Sequence, residues 1–529
     1  MIPAFVPAQS FTAPEIHWLT LAPMLIVFGG AVIGVLVEAF AHRARRHELQ
    51  VPLTLVTLVA SLVVLIGFTR GAQRATLGGA VVVDGVSLAL QGLLLILTGI
   101  SVLIMADRMG GRGADAFTPS GASIPGSEGE RMATRLGATT TEVFPLTLFS
   151  VGGMMAFVAA GDLLTMFVAL EVLSFPLYIM TALARRKRLL SQEAALKYFL
   201  LGSLSSAFFL FGAALLYGFA GTVSLVGIAQ AIPTVEVGQE LLLPGVLLAL
   251  FGLLFKIGAW PFHNWVPDVY QGAPTPVTGF MGACTKVAAF GALLRLAYVG
   301  VAQTRWDWLV VLWIVAGATM IVGAILTVTQ TDMKRLLAYS SIAHAGFILV
   351  GLLAFDRIAV GGVLFYLVTY GFATVAAFGM VFLVRSRTDG SEATAISQWA
   401  GLGRAHPRFA AAFFVLLLAF AGIPLTAGFT AKIAAFVPAV QYGGAAGTIL
   451  VVVGVLCSIV TAYAYFKVAG LMFRPPEPHA SPSGDLVEVS APSLGTSFAI
   501  TLGVVVTVVL GVFPGPLLNL FESTTTFLR

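Results

Sequence analysis

Residues 241–300 read LLLPGVLLALFGLLFKIGAWPFHNWVPDVYQGAPTPVTGFMGACTKVAAFGALLRLAYVG. The stretch contains two apolar runs, 241–260 and 274–300, and each is close to the ~20 residues that a helix needs to cross a bilayer. Lys256 and Lys286 lie inside these runs, although an ionised side chain at the bilayer centre costs at least ~2.5 kcal/mol. The stretch therefore predicts membrane helices that keep charged groups for a functional reason.

The whole chain has a similarly apolar composition. Of its 529 residues, 58% are hydrophobic and 10% are charged, whereas soluble domains carry roughly 25% charged residues. A soluble globular protein is therefore excluded, and the pattern predicts an all-α polytopic membrane protein with about fourteen spans. The predicted spans are 18–40, 51–69, 85–106, 143–160, 162–183, 192–218, 241–260, 274–300, 309–329, 335–354, 358–384, 409–440, 446–472 and 495–521.

The loops between the spans predict the orientation of the chain. Basic residues concentrate in alternate loops, as in Arg185–Arg188, which places those loops in the cytoplasm and both termini outside. The polar loop 107–142 and the proline-rich segment 474–493 are predicted to be flexible. Cys284 and Cys457 lie in apolar runs, which favours buried thiols over a disulfide or a metal site.

A few charged residues remain inside the predicted spans. Lysine suits proton transfer because burial and a neighbouring carboxylate shift its pKa in opposite directions, whereas arginine does not deprotonate in proteins. The alternative role for an in-span lysine is an ion pair that only fixes helix packing. Arg295 and Lys467 lie near the ends of their spans, and their side chains are expected to extend toward the membrane interface. The in-span candidates for proton transfer are Glu171, Lys197, Lys256, Lys286 and Lys432.

Two histidines and two interrupted runs add to this set. His263 follows the Gly258–Pro261 interruption, and His344 lies inside a span; each fits a proton relay or a hydrogen-bonded packing role equally well. The run 409–440 is interrupted around Gly422. Broken helices line water-filled cavities in transporters and occur at matching places in internal repeats. The strings FKIGAW and AKIAAF, at 255–260 and 431–436, hint at such a repeat.

Several motifs together resemble a known family. They are residues 256–286, FVALEVLSFPLY at 167–178, ALKYFLLGSLSSAFFLFG at 195–212, KRLLAYSSIAHAGF at 334–347 and AGIPLTAGFTAK at 421–432. The combination resembles the antiporter-like membrane subunits of proton-pumping NADH–quinone oxidoreductase (respiratory complex I), and PDVYQGAPTPV is similar to the N type. The resemblance is strong over residues 140–475.

The resemblance implies fourteen helices with two inverted five-helix repeats, helices 4–8 and 9–13, in which helices 7 and 12 are broken. It implies that Glu171 pairs with Lys256 and that Lys286 links inward to Lys432 on the exit side. Lys197 then belongs to the same polar row, and His263 and His344 line it. The implied regions are 1–106 with helices 1–3, loop 107–142, repeats 143–300 and 301–473, and 474–529 with a loop and helix 14.

The resemblance also implies a setting. The chain binds no cofactor and carries no catalytic or metal site; NADH, FMN, Fe–S clusters and quinone belong to the rest of the complex. Its expected partners are other membrane subunits of complex I, including antiporter-like and small polytopic subunits, in a bacterial plasma membrane, with no nucleic acid. The alternatives are a subunit of a multi-subunit sodium/proton antiporter and a structural scaffold whose lysines only fix packing.

Overall fold

The computed structural model describes residues 14–108, 115–136, 139–387, 390–475 and 487–528. Parts of the two polar segments predicted to be flexible, 109–114, 137–138 and 476–486, lie outside the described residues. The described chain is mostly helical. Its α-helices are α1 Trp18–Phe40, α2 Arg46–Phe68, α3 Gly85–Met105, α4 Glu128–Arg135, α5 Val143–Ala159, α6 Leu163–Thr181, α7 Arg188–Ala220, α8 Leu225–Ala231, α9 Leu242–Ile257, α10 Trp265–Gly272, α11 Thr275–Phe280, α12 Lys286–Arg295, α13 Arg305–Thr329, α14 Met333–Leu352, α15 Arg357–Leu383, α16 Leu402–Ala405, α17 Pro407–Ala421, α18 Ala427–Tyr442, α19 Gly444–Phe473, α20 Leu494–Val512 and α21 Gly515–Thr524.

Shorter elements connect these helices. Wider π-helical turns at Met281–Thr285 and Leu296–Gly300 continue α11 and α12 into one long run. The 3-10 turns are Arg43–Arg45, Leu77–Gly79, Gln239–Leu241, Ala302–Thr304 and Ile396–Trp399. Strands β1 Arg74–Thr76 and β2 Val81–Val83 form one antiparallel ribbon, and β3 Val384–Ser386 and β4 Val487–Val489 form another.

Membrane-spanning helices dominate the described chain. Twelve helices are long and apolar enough to cross a bilayer, and Val143–Ala159 and Pro407–Ala421 are shorter apolar helices. Side-chain caps start several of them: Asp162 accepts from the amide of Thr165 at 2.6 Å, and Asp332 accepts from the first amides of α14. These caps satisfy amides that would otherwise lack a partner at the start of each helix.

Burial divides the helices into inner and outer ones. The run Thr275–Gly300 is completely buried, and α14 and α15 are nearly so, whereas α2, α19 and α20 expose most of their apolar residues. In a bilayer those apolar residues face lipid. The inner helices α14 and α15 pack against each other and against α18, so they lie at the centre of the molecule.

Two helices stop inside the apolar region. Gly258 ends α9 with φ 74°, and Gly422 ends α17 with φ 78°, a left-handed conformation that favours glycine. The chain resumes as a helix only at Trp265 and at Ala427. Each interruption leaves the last carbonyls of the preceding helix without their usual helical partners.

Two predictions about local structure were wrong. The predicted run 495–521 is two helices, α20 and α21, because the chain leaves the helical conformation at Phe513, and Pro514, which has no amide hydrogen to donate, precedes the second helix. The described part of loop 107–142 is docked rather than free: the amide of Thr118 donates to the carbonyl of Leu183 at 2.8 Å, and Arg188 forms an ion pair with Glu130 at 3.0 Å.

Candidate functional site

The first group of the site joins α6 to α9. Glu171 lies in α6, and Lys256, which is 2% exposed, lies in the last turn of α9. The carboxylate acts electrostatically on the amine, yet among the described residues neither Lys256 Nζ nor Glu171 Oε1 has a hydrogen-bond partner. The amine instead lies 5.5 Å and 5.3 Å from the ring centres of Tyr178 and Tyr198. No ion pair within 4.0 Å joins Glu171 and Lys256 in the described chain, so the amine of Lys256 can change charge without breaking a direct hydrogen bond to the carboxylate.

The second group lies where α9 stops. Lys286, at the start of α12, donates from Nζ to the carbonyl of Ile257 at 2.9 Å and to that of Ser341 at 2.8 Å. Ile257 is the last residue of α9, so its carbonyl belongs to the negative end of that helix dipole. The amine also lies 5.9 Å from the ring centre of Tyr370. The first helix break therefore provides a buried binding position for a cation.

The third group repeats this arrangement where α17 stops. Lys432, in α18, donates from Nζ to the carbonyl of Phe420 at 3.3 Å and to that of Ala421 at 2.9 Å. Ala421 is the last residue of α17. The amine lies 4.8 Å from the ring centre of Phe347. Both helix breaks thus present backbone carbonyls to a buried lysine.

A histidine lies between the two lysine positions. His344, in α14, is 3% exposed, and its Nδ1 forms a hydrogen bond with the hydroxyl of Tyr366 at 2.8 Å. Lys286 and Lys432 are both close enough to act electrostatically on the ring. Nε2 has no partner among the described residues. His344 therefore has one anchored nitrogen and one nitrogen available to a water or a proton.

The remaining predicted residues lie at the edge of this row. His263, between α9 and α10, is 7% exposed, and its Nδ1 has no hydrogen-bond partner in the described chain. The side chain of Lys197 is 43% exposed and lies 2.8 Å from both Glu193 and Asp268. The structure thus brings the half-buried Glu171 and the buried Lys256, Lys286, His344 and Lys432 into one series, called the buried series below. Lys197 is bound to surface carboxylates instead.

The expectation for Arg295 was wrong. Its guanidinium does not extend to an interface but is 1% exposed and donates from Nη2 to both carboxylate oxygens of Asp84, at 2.9 Å and 3.0 Å. Its Nε donates to the carbonyl of Val158 at 3.1 Å. Asp84 also caps α3 and accepts from the amide of Leu528 at 3.2 Å. This buried pair ties three parts of the chain together and is separate from the lysine series. Lys467, by contrast, is exposed.

Sequence reasoning missed the hydroxyl groups that accompany the lysines. Tyr366 bonds to His344, and Ser340 shares a hydrogen bond with Tyr465. The signal available in the sequence was tyrosine inside apolar runs, where a buried hydroxyl needs a polar partner. No group of three or more His, Cys, Asp or Glu that could hold a metal ion occurs among the described residues.

Comparisons with known proteins show the family to which the chain belongs. The family model described as "NADH:quinone oxidoreductase/Mrp antiporter, TM" matches residues 160–458, which include every member of the buried series. The chain is 53% identical to NADH-quinone oxidoreductase subunit N of Rhodococcus opacus, covering 99% of both chains. The chain belongs to the subunit N family of NADH-quinone oxidoreductases. Subunit N of Mycobacterium tuberculosis is 50% identical, covering 98% of this chain and 99% of that one.

Solved structures agree with this membership. A chain of respiratory complex I from Thermus thermophilus is 32% identical and superposes with a TM-score of 0.74, covering 94% of this chain and 98% of that one. A chain of the Mrp complex from Dietzia has a TM-score of 0.76 at 22% identity, with 96% and 97% covered, which shows a shared fold only. As a subunit N family member, the chain is a multi-pass, proton-translocating subunit of a multi-subunit membrane complex, and the sodium/proton antiporter alternative is the weaker one.

Proposed function

We propose that protons cross this subunit along the buried series Glu171, Lys256, Lys286, His344 and Lys432. The observation that carries the proposal is the pair of helix breaks: the carbonyl of Ile257 accepts from the amine of Lys286, and those of Phe420 and Ala421 accept from the amine of Lys432. A carbonyl cluster stabilises a bound positive charge without neutralising it. Such a position can hold a proton and pass it on, which a lysine locked onto a carboxylate does less readily.

The first step depends on the pair between α6 and α9. Glu171 stabilises the charged form of Lys256 at a distance rather than through a hydrogen bond. When a charge change in a neighbouring subunit neutralises or displaces the carboxylate, the ammonium loses this support and gives up its proton. Redox chemistry elsewhere in the complex is proposed to supply that change.

The proton then passes from Lys256 to Lys286, and through His344 to Lys432, from which it leaves. Water in the interrupted segments Gly258–Asn264 and Gly422–Thr426 would complete the connections, because unpaired backbone groups at such breaks favour hydration. Nε2 of His344, which has no hydrogen-bond partner among the described residues, is the proposed contact for this water. His263 and Lys197 are proposed to act at the edge of the series, and Lys197 is the less buried of the two.

The proposed architecture has fourteen transmembrane helices. The twelve long helices and the two shorter apolar ones, Val143–Ala159 and Pro407–Ala421, support that number. We propose inverted five-helix repeats at 143–300 and 301–473, because each contains one interrupted helix with a lysine at the break. The regions 1–106, 107–142 and 474–529 then flank or interrupt the repeats.

The proposed setting is the bacterial plasma membrane, with both termini outside. Other antiporter-like subunits and small polytopic subunits of the complex are the proposed neighbours. Quinone reduction and the FMN and Fe–S centres are proposed to lie in other subunits.

The test is to replace Lys256 with glutamine in the assembled complex and to measure protons pumped per NADH oxidised in sealed vesicles. Lys467→Gln, an exposed lysine in α19, is the matched control. We expect the ratio to fall for Lys256→Gln while the complex still assembles and the control pumps normally. An unchanged ratio would contradict the proposed path, and loss of assembly alone would support a scaffold instead.

A further inference from the structure

A cavity of about 400 Å³ lies at the side of the molecule where the α6–α7 turn, the α10–α11 junction and the segment after α15 meet. Its volume falls in the range of small-molecule sites, roughly 300–1,000 Å³. Charged side chains line it unevenly. The basic ones are Arg185, Arg186, Lys187, Lys334, Arg385 and Arg387, and the acidic ones are Asp115, Glu392 and Glu488.

Every carboxylate in the cavity already has a basic partner. Asp115 lies 2.6 Å from Arg185, and Glu488 lies 3.3 Å from Arg387. Glu392 is shared between Lys334 at 3.6 Å and Arg385 at 3.7 Å. The excess positive charge therefore has no neutralising side chain within the described wall.

The pKa of Glu392 shows that the environment of its carboxyl group is positive. Burial favours its neutral form, but the charges of Lys334 and Arg385 outweigh burial and hold the pKa of Glu392 below its ordinary value. The hydroxyl of Thr275, which donates to its carboxylate, acts in the same direction. A carboxylate kept ionised in this way marks a strongly cationic wall.

Arg186 and Lys187 are the basic residues of the cavity wall that form no ion pair with its carboxylates. Both are exposed, and neither lies within 4.0 Å of a carboxylate in the described chain. Arg186 acts electrostatically on Arg385, and Lys187 acts on Lys334 and on Glu392. With six basic and three acidic side chains, the described wall keeps a net positive charge that a bound anion would offset.

The backbone adds to the same site. Lys187 has φ 54° and ψ 41°, an uncommon conformation for a residue other than glycine. It precedes α7, a helix of 33 residues whose first turn has no side-chain cap. Free amides and the positive end of a long helix attract phosphate groups.

We propose that this cavity is a binding site for a phosphate-bearing anion, held by Arg186 and Lys187 beside the N-terminal end of α7. An arginine and a lysine together can donate hydrogen bonds to several oxygens of a phosphate. Basic pockets at the ends of membrane helices bind the headgroups of anionic lipids. The same chemistry accepts a free phosphate, so the source is decided by experiment.

The test uses the full-length chain in an uncharged detergent and native mass spectrometry with short-chain phosphatidylglycerol. Arg186→Gln combined with Lys187→Gln is the test variant, and Arg43→Gln combined with Arg45→Gln removes the same charge from another exposed basic turn. We expect affinity to fall at least tenfold in the test variant, since hydrogen bonds to charged groups contribute more than ~1.4 kcal/mol each. The control should stay within about twofold of the parent.

Competing inorganic phosphate separates the two sources. Displacement of the lipid by millimolar phosphate identifies the phosphate group alone as the ligand, whereas no displacement identifies an anionic lipid headgroup. Arg387→Gln gives an independent variant if the double substitution does not fold. Equal affinities of parent and test variants, or equally tight phosphatidylcholine, would overturn the proposal.

Discussion

Adding a methyl group at Gly422 should displace the amine of Lys432 without rebuilding the fold. An ideal Cβ at this position would lie 2.9 Å from both Nζ and Cδ of Lys432 and 3.1 Å from Cε. These atoms end a flexible side chain, so they move before the backbone does. The move takes Nζ away from the carbonyls of Phe420 and Ala421, which it now contacts at 3.3 Å and 2.9 Å.

Gly444→Ala separates this effect from backbone strain. Gly444 has φ +60°, close to the +78° of Gly422, but a Cβ there would meet nothing within 4 Å. Each alanine costs about 1–2 kcal/mol for the left-handed conformation. Only Gly422→Ala also weakens a hydrogen bond of a charged group, about 1.5–3 kcal/mol. This loss corresponds to a roughly 10–160-fold lower population of the Lys432 amine at its present position.

The assay compares the two variants in reconstituted complex. Proton pumping per NADH and thermal stability are measured on the same preparations. We expect Gly444→Ala to lose only the stability that the backbone strain costs and to pump normally, whereas Gly422→Ala should lose more stability and show a reduced pumping ratio. Equal pumping by the two variants would refute the role assigned to the carbonyl-bound amine.

Three further predictions follow from particular contacts. Tyr366→Phe removes the hydroxyl that anchors His344 at 2.8 Å; pumping should fall while assembly is kept, and normal pumping would exclude this hydroxyl from the path. Arg295→Met leaves Asp84 buried and unpaired, which should cost about 3–5 kcal/mol in thermal stability of the full chain, whereas adding Asp84→Leu should recover part of the loss; no recovery would argue against the pair. Because the pKa of Glu392 is lowered in the folded chain, its charge stabilises the fold above pH ~4.5, the pKa region of an unfolded glutamate, and loses this effect as pH falls through the folded pKa. Glu392→Gln should therefore melt lower than the parent at pH 7, and the gap should close in acid; a gap that is constant with pH would contradict this.

Hydropathy and glycine placement predicted most of what positions the site. The spans follow from apolar runs of sufficient length, and both helix breaks follow from Gly258 and Gly422. The lysines stood out because charged residues in a bilayer are costly. Hydropathy and glycine placement therefore predicted where each site residue lies along its helix.

Contacts between distant parts of the chain were not predictable in this way. Arg295 and Asp84 are separated by 211 positions. Asp84 directly precedes a predicted span, where the sequence does not distinguish an aspartate that only caps the helix from one that also pairs with a buried cation. Lys197 lies in a predicted span, and the resemblance implied that it belongs to the polar row, but its side chain forms an ion pair with Asp268 of another helix. Which face of a helix meets which neighbour depends on packing that periodicity alone does not determine.

The acceptors that hold Lys286 and Lys432 are backbone carbonyls of Ile257, Ser341, Phe420 and Ala421. Replacing any of these side chains leaves its carbonyl in place, so a mutational scan at these positions would report the packing of the side chains and not the contacts of the carbonyls with the amines. The positions of the Ile257, Phe420 and Ala421 carbonyls depend instead on the two glycines that end α9 and α17, where a single substitution can redirect more than one acceptor.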